Sequence, residues 1–471
     1  MKLSKESGYI IEYTYIKYNY ISISYVSGQQ EDSMFDFNTI VTLLVLLWII
    51  IGFMSGKWSM GTVAMTGLII LEVTKVLEFG EAFAYFSSNN IIMIGGMFIL
   101  SGALAKTSIV SKLRAWMLQH ASNPSAIVAI YFGACWLMVH FVSPLALISL
   151  LLPMMNALGE DSKVQPSHLL YPGSIMAHAA QNSLPFGNTL TAFVTINAML
   201  AANGSTAEAG VLDKVFVVFP ACLATYLYLV LVGWKHYPVH KVDTSKIKEF
   251  NEKKSDITPA QEKLIYAVFC AVMVLIVVAN MVKGFPIDMY VIPAIADIIL
   301  LLAGVMKVPD VRNAMNIDAL FMLCGVLPLA TAMQKSNAAQ IVANAIVSML
   351  GGNPSFPVFI LAFMLVGGIL TQFMSNTATY NVFCPLSIVT AMQMGFNPVA
   401  CVLALSAMTT AAMLTPMSSP SVAIAYGAGG YTQKEVLKAS IMPWIIHTAV
   451  VFVTILVLYG MNGTSGLIGG R

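Results

Sequence analysis

An all-α polytopic membrane protein made of two related halves is the fold this sequence predicts, on three observations. Hydrophobic residues make up 58% of the 471, and Asp, Glu, Lys and Arg only 10%, against about 25% charged residues in a soluble domain. Apolar runs at 39–54, 215–234 and 264–282 approach the roughly 20 residues a helix needs to cross the hydrocarbon core. Open sheet edges cannot be satisfied in lipid, so these runs read as helices. The third observation is an internal repeat.

The elements follow in chain order. Residues 1–33 are Tyr-rich and end in the polar GQQEDS; they read as a cytoplasmic tail or as an extension upstream of a start at Met34. No secretory signal peptide is legible, and the tail is set aside from the fold. The first repeat is expected over 34–233, with a hairpin at about 124–158 and a broken helix at about 168–203. Residues 234–263 form the one long polar stretch, with seven lysines against five acids; the basic excess places it on the cytoplasmic side as a linker. The second repeat covers 264–471, with a hairpin at about 354–394 and a broken helix at about 397–428.

The repeat is read from matched positions. Met93/Met322, Gly96/Gly325, Leu100/Leu329, Ala103/Ala332 and Lys106/Lys335 share an offset of 229. Ala146/Ala378, Pro153/Pro385, Ser174/Ser406, Met176/Met408 and Ala179/Ala411 share an offset of 232. Repeated halves are the usual construction of secondary transporters, whose sites lie near the midplane where helices break. Each hairpin is a long apolar stretch interrupted by a small polar cluster, and each broken helix unwinds around Pro185–Thr189 or Pro416–Ser421. Read alone, such Ser, Thr, Asn and Gly residues are helix-packing glue; four clusters at matching breaks point to a site.

Hydroxyls, amide oxygens and freed carbonyls are hard oxygen ligands for a small cation, while helix N-termini favour an anion. No Arg or Lys falls at an interruption, so an anion is expected to be held by hydroxyls, amides, dipoles and a bound cation. His140 and His178 are candidate carriers of a coupling proton. Asp297 and Glu72 are read as helix-packing groups. The six cysteines sit in apolar runs without ligand spacing and read as packing residues. No HExxH, paired intramembrane Asp or Ser/His dyad with an acid partner is present, so an enzyme is not expected. A channel poorly fits occluded, paired breaks, and nothing points to nucleic acid.

Ser375-Asn376-Thr377, within FMSNTATYNVFCPL, resembles the Ser-Asn-Thr signature of the divalent-anion/sodium symporter family of the wider ion-transporter superfamily. The likeness extends over about 34–460. It implies a homodimer in which a scaffold domain carries a transport domain that moves as an elevator. It implies sodium held by Thr371, the Met374 backbone, Asn376 and the Ser418 backbone in the second half, and substrate met by Asn376, Thr377, Ser419 and Pro420. In the first half, Ser143-Pro144-Leu145 stands where the family has Ser-Asn-Thr, and Asn188-Thr189-Leu190-Thr191 replaces the usual Pro-Pro-Asn. Pro144 brings neither an amide side chain nor an N–H. Ser143 and Gly187 remain as sodium ligands on that side, with Asn182, Asn188 and Thr189 as compensating contacts.

The expected function is Na⁺-coupled symport of a small anion such as a carboxylate. A cation/proton antiporter or a proton-coupled anion transporter of the same superfamily is the alternative. The expected location is a multi-pass protein of the bacterial inner membrane.

Overall fold

The computed structural model describes residues 36–464 apart from 56, 105, 109–111, 113–123, 142, 145–146, 149–163, 187, 243–256, 283–284 and 374. Among the described residues there are eighteen α-helices, two 3-10 turns and no strand. The first half contains α1 (Phe37–Ser55), α2 (Met60–Val73), α3 (Phe79–Ala82), α4 (Asn89–Leu104), α5 (Pro124–Met138), α6 (Ser167–Ala180), α7 (Asn188–Ala202) and α8 (Asp213–Leu231). The second contains α9 (Pro259–Met281), α10 (Ile292–Leu302), α11 (Val308–Ala314), α12 (Ile317–Lys335), α13 (Ala338–Met349), α14 (Phe356–Leu370), α15 (Asn376–Gln393), α16 (Pro398–Thr409), α17 (Pro420–Gly429) and α18 (Gln433–Tyr459). The tail 1–33, most of the linker and the far arm of the first hairpin lie outside the described residues.

Among the described residues, four helices are long and apolar enough to cross a membrane: α8, α9, α12 and α18. Most of the remaining apolar helices are shorter, because the chain stops them with identifiable signals. At α16–α17 the helix ends at Thr409, residues 411–419 are non-helical, and Pro420 restarts it at the first helical position, where its missing N–H costs nothing. At α14–α15 the chain turns through Thr371–Ser375, and Ser375 caps the next helix by accepting from Ala378 N at 3.1 Å. At α6–α7 the break contains Asn182 with φ +64°, a left-handed conformation that Asn tolerates better than most residues.

The two halves interlock through the matched glycines. A Cβ on Gly96 of α4 would meet Pro293 Cβ of α10 at 2.9 Å, and one on Gly325 of α12 would meet the Ala64 backbone of α2 at 2.5 Å. A first-half helix therefore lies against a second-half helix, and the reverse contact uses the matching residue. The matched lysines behave alike. Lys106 pairs with Asp310 of α11 at 2.5 Å, and Lys335 pairs with Glu81 of α3 at 2.5 Å. α2 packs most extensively on α12 and α4 on α10, whereas α6, α8, α14, α16, α17 and α18 pack mainly on one another. Asp297 is buried against Gly96, and Glu72 is paired with Lys75. Five of the six cysteines are buried and none is bridged.

Candidate substrate and ion site

A cavity of about 350 Å³ lies where the interruptions meet, within the size range of small-molecule sites. One wall is α4 and α12 (Ile94, Phe98, Met322 and Leu323). The facing wall holds Gln181 and Asn182 from the first break, Asn188 and Thr191 from α7, Lys214 from α8, Asn376 and Thr377 from α15, and Ser406 and Thr409 from α16. A wider groove of about 650 Å³ between α2 and the start of α12 is more open and lined chiefly by apolar side chains. The smaller cavity, with its convergent polar groups, is the candidate site.

The second-half tip is built on two side chains. Thr371 Oγ1 lies 2.7 Å from Asn376 Oδ1 and 2.7 Å from the Thr409 carbonyl. A hydroxyl has one proton, so it cannot donate to both oxygens at once, and three oxygens converge beside the cavity. Gln372, 1% exposed, holds the unwound segment. Its Nε2 donates to the carbonyls of Gly368 and Ala411, and its Oε1 accepts from the backbone N–H of Met413 and Leu414 at 3.1 and 2.8 Å. Thr415 adds a bond from its hydroxyl to the Gln372 carbonyl. A broken helix in a water-free interior needs such partners for the groups it frees.

The two breaks are joined by a hydrogen-bonded chain. Gln181 Nε2 lies 3.2 Å from His178 Nδ1, His178 Nε2 lies 3.0 Å from Ser421 Oγ, and Ser421 Oγ lies 2.9 Å from Ser419 Oγ. With both ring nitrogens engaged, His178 ties α6 to the start of α17. His140 instead packs on Phe186, with Nδ1 2.9 Å from the Trp136 carbonyl.

The residues singled out by sequence are thus dispersed around the cavity. Asn376, Thr377 and Asn188 line it, and Thr371 backs Asn376. Thr189 is buried, with its hydroxyl turned to the Leu184 carbonyl at 2.6 Å; Thr191, two residues on, reaches the cavity instead. Ser418 is buried and its hydroxyl donates to the Thr415 carbonyl at 2.6 Å. Ser419 and Pro420 begin α17, outside the cavity lining. Ser143 is exposed on the first-half turn, and Met374 and Gly187 lie outside the described residues.

Three contributors were missed by sequence: Gln372, the Thr409 carbonyl and Lys214. Lys214 is the one that alters the chemistry, because the tips themselves carry no basic residue and yet a lysine lines the cavity. It is 3% exposed, and its Nζ lies 2.7 Å from Ser406 Oγ. With the Asn182 amide oriented to satisfy both its groups, Asn182 accepts from Lys214 at 3.1 Å and donates to the Asn188 carbonyl at 3.2 Å. In the sequence Lys214 follows Asp213 at the polar head of an apolar run and reads as a helix-end charge.

Interrupted helices in a hydrophobic bundle, meeting at a cavity with convergent polar side chains, define a polytopic membrane transporter. The family model of citrate transporters (CitMHS) matches residues 43–406 and 287–466, and the chain belongs to that family. The uncharacterized transporter YfbS of Escherichia coli is 28% identical over 211 residues, 44% of this chain and 33% of that protein. Sodium/sulfate cotransporter 1 of Chlamydomonas reinhardtii is 22% identical over 153 residues, 32% of this chain and 17% of that protein. The matched segments thus span a third or less of these relatives' length. The YdaH transporter of Alcanivorax borkumensis shares the fold, with a TM-score of 0.58 at 14% identity over 91% of this chain and 99% of that one.

Proposed function

We propose that the chain is a secondary active transporter that moves a small anion together with Na⁺. The observation that carries this reading is the oxygen cluster of Thr371, Asn376 and the Thr409 carbonyl beside the polar cavity. Neutral oxygens from a hairpin tip and an unwound helix suit Na⁺, and among the described residues no cluster of His, Cys, Asp or Glu offers a transition-metal site. A cation there, together with the N-terminus of α15 at Asn376, favours an anion in the cavity. The sodium/sulfate name of one relative supports the coupling ion.

The transport cycle we propose is an elevator built on two inverted repeats. Its support is the reciprocal packing of Gly96 and Gly325 and the packing of α6, α8, α14, α16, α17 and α18 mainly on one another. In this reading the Ser418 and Met374 backbones, Gly187 and Ser143 are the further sodium ligands, and Ser419, Pro420 and Thr189 are substrate contacts that rest on the likeness of the Ser-Asn-Thr motif. A homodimer rests on the likeness of the Ser-Asn-Thr motif, and the bacterial inner membrane on the bacterial relatives. The test is a thermal-shift screen of citrate, succinate and sulfate with Na⁺ or choline. A ligand that binds the native state raises its apparent stability, and the reading requires an anion whose shift depends on Na⁺. No shift with any of the three anions would refute it.

A further inference from the structure

Lys214 is the single charged side chain among the described residues that line the cavity. It is almost wholly buried, and no carboxylate oxygen of the described residues lies within ion-pair distance of its Nζ. Its neighbour Asp213 does not neutralise it, because that carboxylate accepts from Gly210 N at 2.7 Å and holds the turn entering α8. An ammonium has three donors. Ser406 Oγ and the Asn182 amide take two, and both acceptors are neutral. A buried cation held by neutral groups is costly unless a counter-charge arrives, and the space beside it is the cavity that also exposes Asn188, Asn376 and Thr377.

The position of Lys214 adds a second argument. It contacts Asn182 at the first-half break, the side on which the sequence Ser143-Pro144-Leu145 lacks the amide of Asn376 and the hydroxyl of Thr377. A tethered ammonium supplies there the positive charge that a bound cation supplies beside Asn376.

We propose that Lys214 is a fixed anion anchor, which takes an oxyanion group of the solute (carboxylate or sulfate) at the first-half end of the cavity. This rests on the reading of the chain as an anion transporter and names the residue that receives the charge. The anchor stays with the protein through the cycle, whereas Na⁺ travels with the solute.

The experiment measures binding of citrate, succinate and sulfate to purified protein at fixed Na⁺ concentration, by thermal shift and calorimetry. Lys214→Gln is expected to weaken binding at least ten-fold, while Asp310→Asn, which lies away from the cavity, stays within three-fold of the parent. Lys214→Cys in a Cys270→Ser background is expected to lose binding and to regain it on alkylation with 2-bromoethylamine, which rebuilds an ammonium at that position. Binding to K214Q within three-fold of the parent would overturn the anchor and leave the transporter reading intact. A folded K214C that stays inactive after alkylation would overturn it too. If none of the three anions binds the parent protein, the transporter reading itself falls, and the anchor with it.

Discussion

Thr371 and Asn376 face each other across the second-half turn, with the Thr371 hydroxyl 2.7 Å from the Asn376 amide oxygen and equally close to the Thr409 carbonyl. Three oxygens share one proton, which leaves two lone-pair-bearing oxygens in close approach without a donor between them. A small cation resolves that conflict. Asn376→Ala should therefore lower Na⁺-dependent anion uptake at least ten-fold with little effect on the melting temperature, since Asn376 is only partly buried. Na⁺ titration of the anion-induced thermal shift checks it, and an unchanged Na⁺ dependence would argue against this ligand.

Gln372 carries a structural prediction. Replacing it with Leu keeps the volume but strands the N–H groups of Met413 and Leu414 and the Ala411 carbonyl. Each buried polar group left unpaired costs about 1–3 kcal/mol, so Q372L should be among the most destabilising single changes in the second half. Denaturant unfolding in detergent measures this. A loss below about 1 kcal/mol would mean that other groups satisfy the unwound segment.

Two glycines separate packing from helix propensity. Gly325→Ala places a Cβ 2.5 Å from the Ala64 backbone, which cannot move aside, whereas a Cβ on Gly95 meets nothing within 4 Å. Overpacking of this kind typically costs about 1–3 kcal/mol, while Ala for Gly in a helix gains up to about 1 kcal/mol. G325A should lower the melting temperature and G95A leave it equal or higher. Equal effects would contradict the close approach of α2 and α12.

Ion pairing outside the spans gives a pH prediction. The hydrogen bond from Lys106 to Asp310 holds that carboxyl below its usual value. A depressed folded value means that the pair contributes above the unfolded carboxyl range and is lost as pH falls through the lowered value. Both groups are more than a quarter exposed, so the contribution is small and screened by salt. Asp310→Asn should be slightly less stable than the parent at neutral pH and indistinguishable from it in acid. A difference that grows on acidification would contradict the assignment.

The legible and illegible parts of this molecule divide on a physical line. Prolines and polar clusters are local signals, so the interruption around Pro416–Ser421 and the turn at Ser375 could be read directly from the chain. The α-helical class followed from hydropathy, because lipid leaves the backbone few other choices. Gln372, the Thr409 carbonyl and Lys214 are different. Their roles arise from contacts between segments 38 to 192 residues apart, and nothing in the local sequence announces such contacts. Thr189 shows the finer limit: composition marked the right turn, but helical phase turned Thr189 inward and left Thr191 facing the cavity.

The most direct test of the central claim is uptake into proteoliposomes. With Na⁺ outside and choline inside, labelled citrate, succinate or sulfate should accumulate in vesicles containing the parent protein and remain at background with Asn376→Ala or with choline on both sides. The first-half turn offers Pro144 where an amide would be needed, so the Na⁺ dependence should have a lower Hill slope than that of relatives with two intact Ser-Asn-Thr turns. Accumulation of none of the three anions, or equal accumulation with choline replacing Na⁺, would contradict Na⁺-coupled anion transport by this chain.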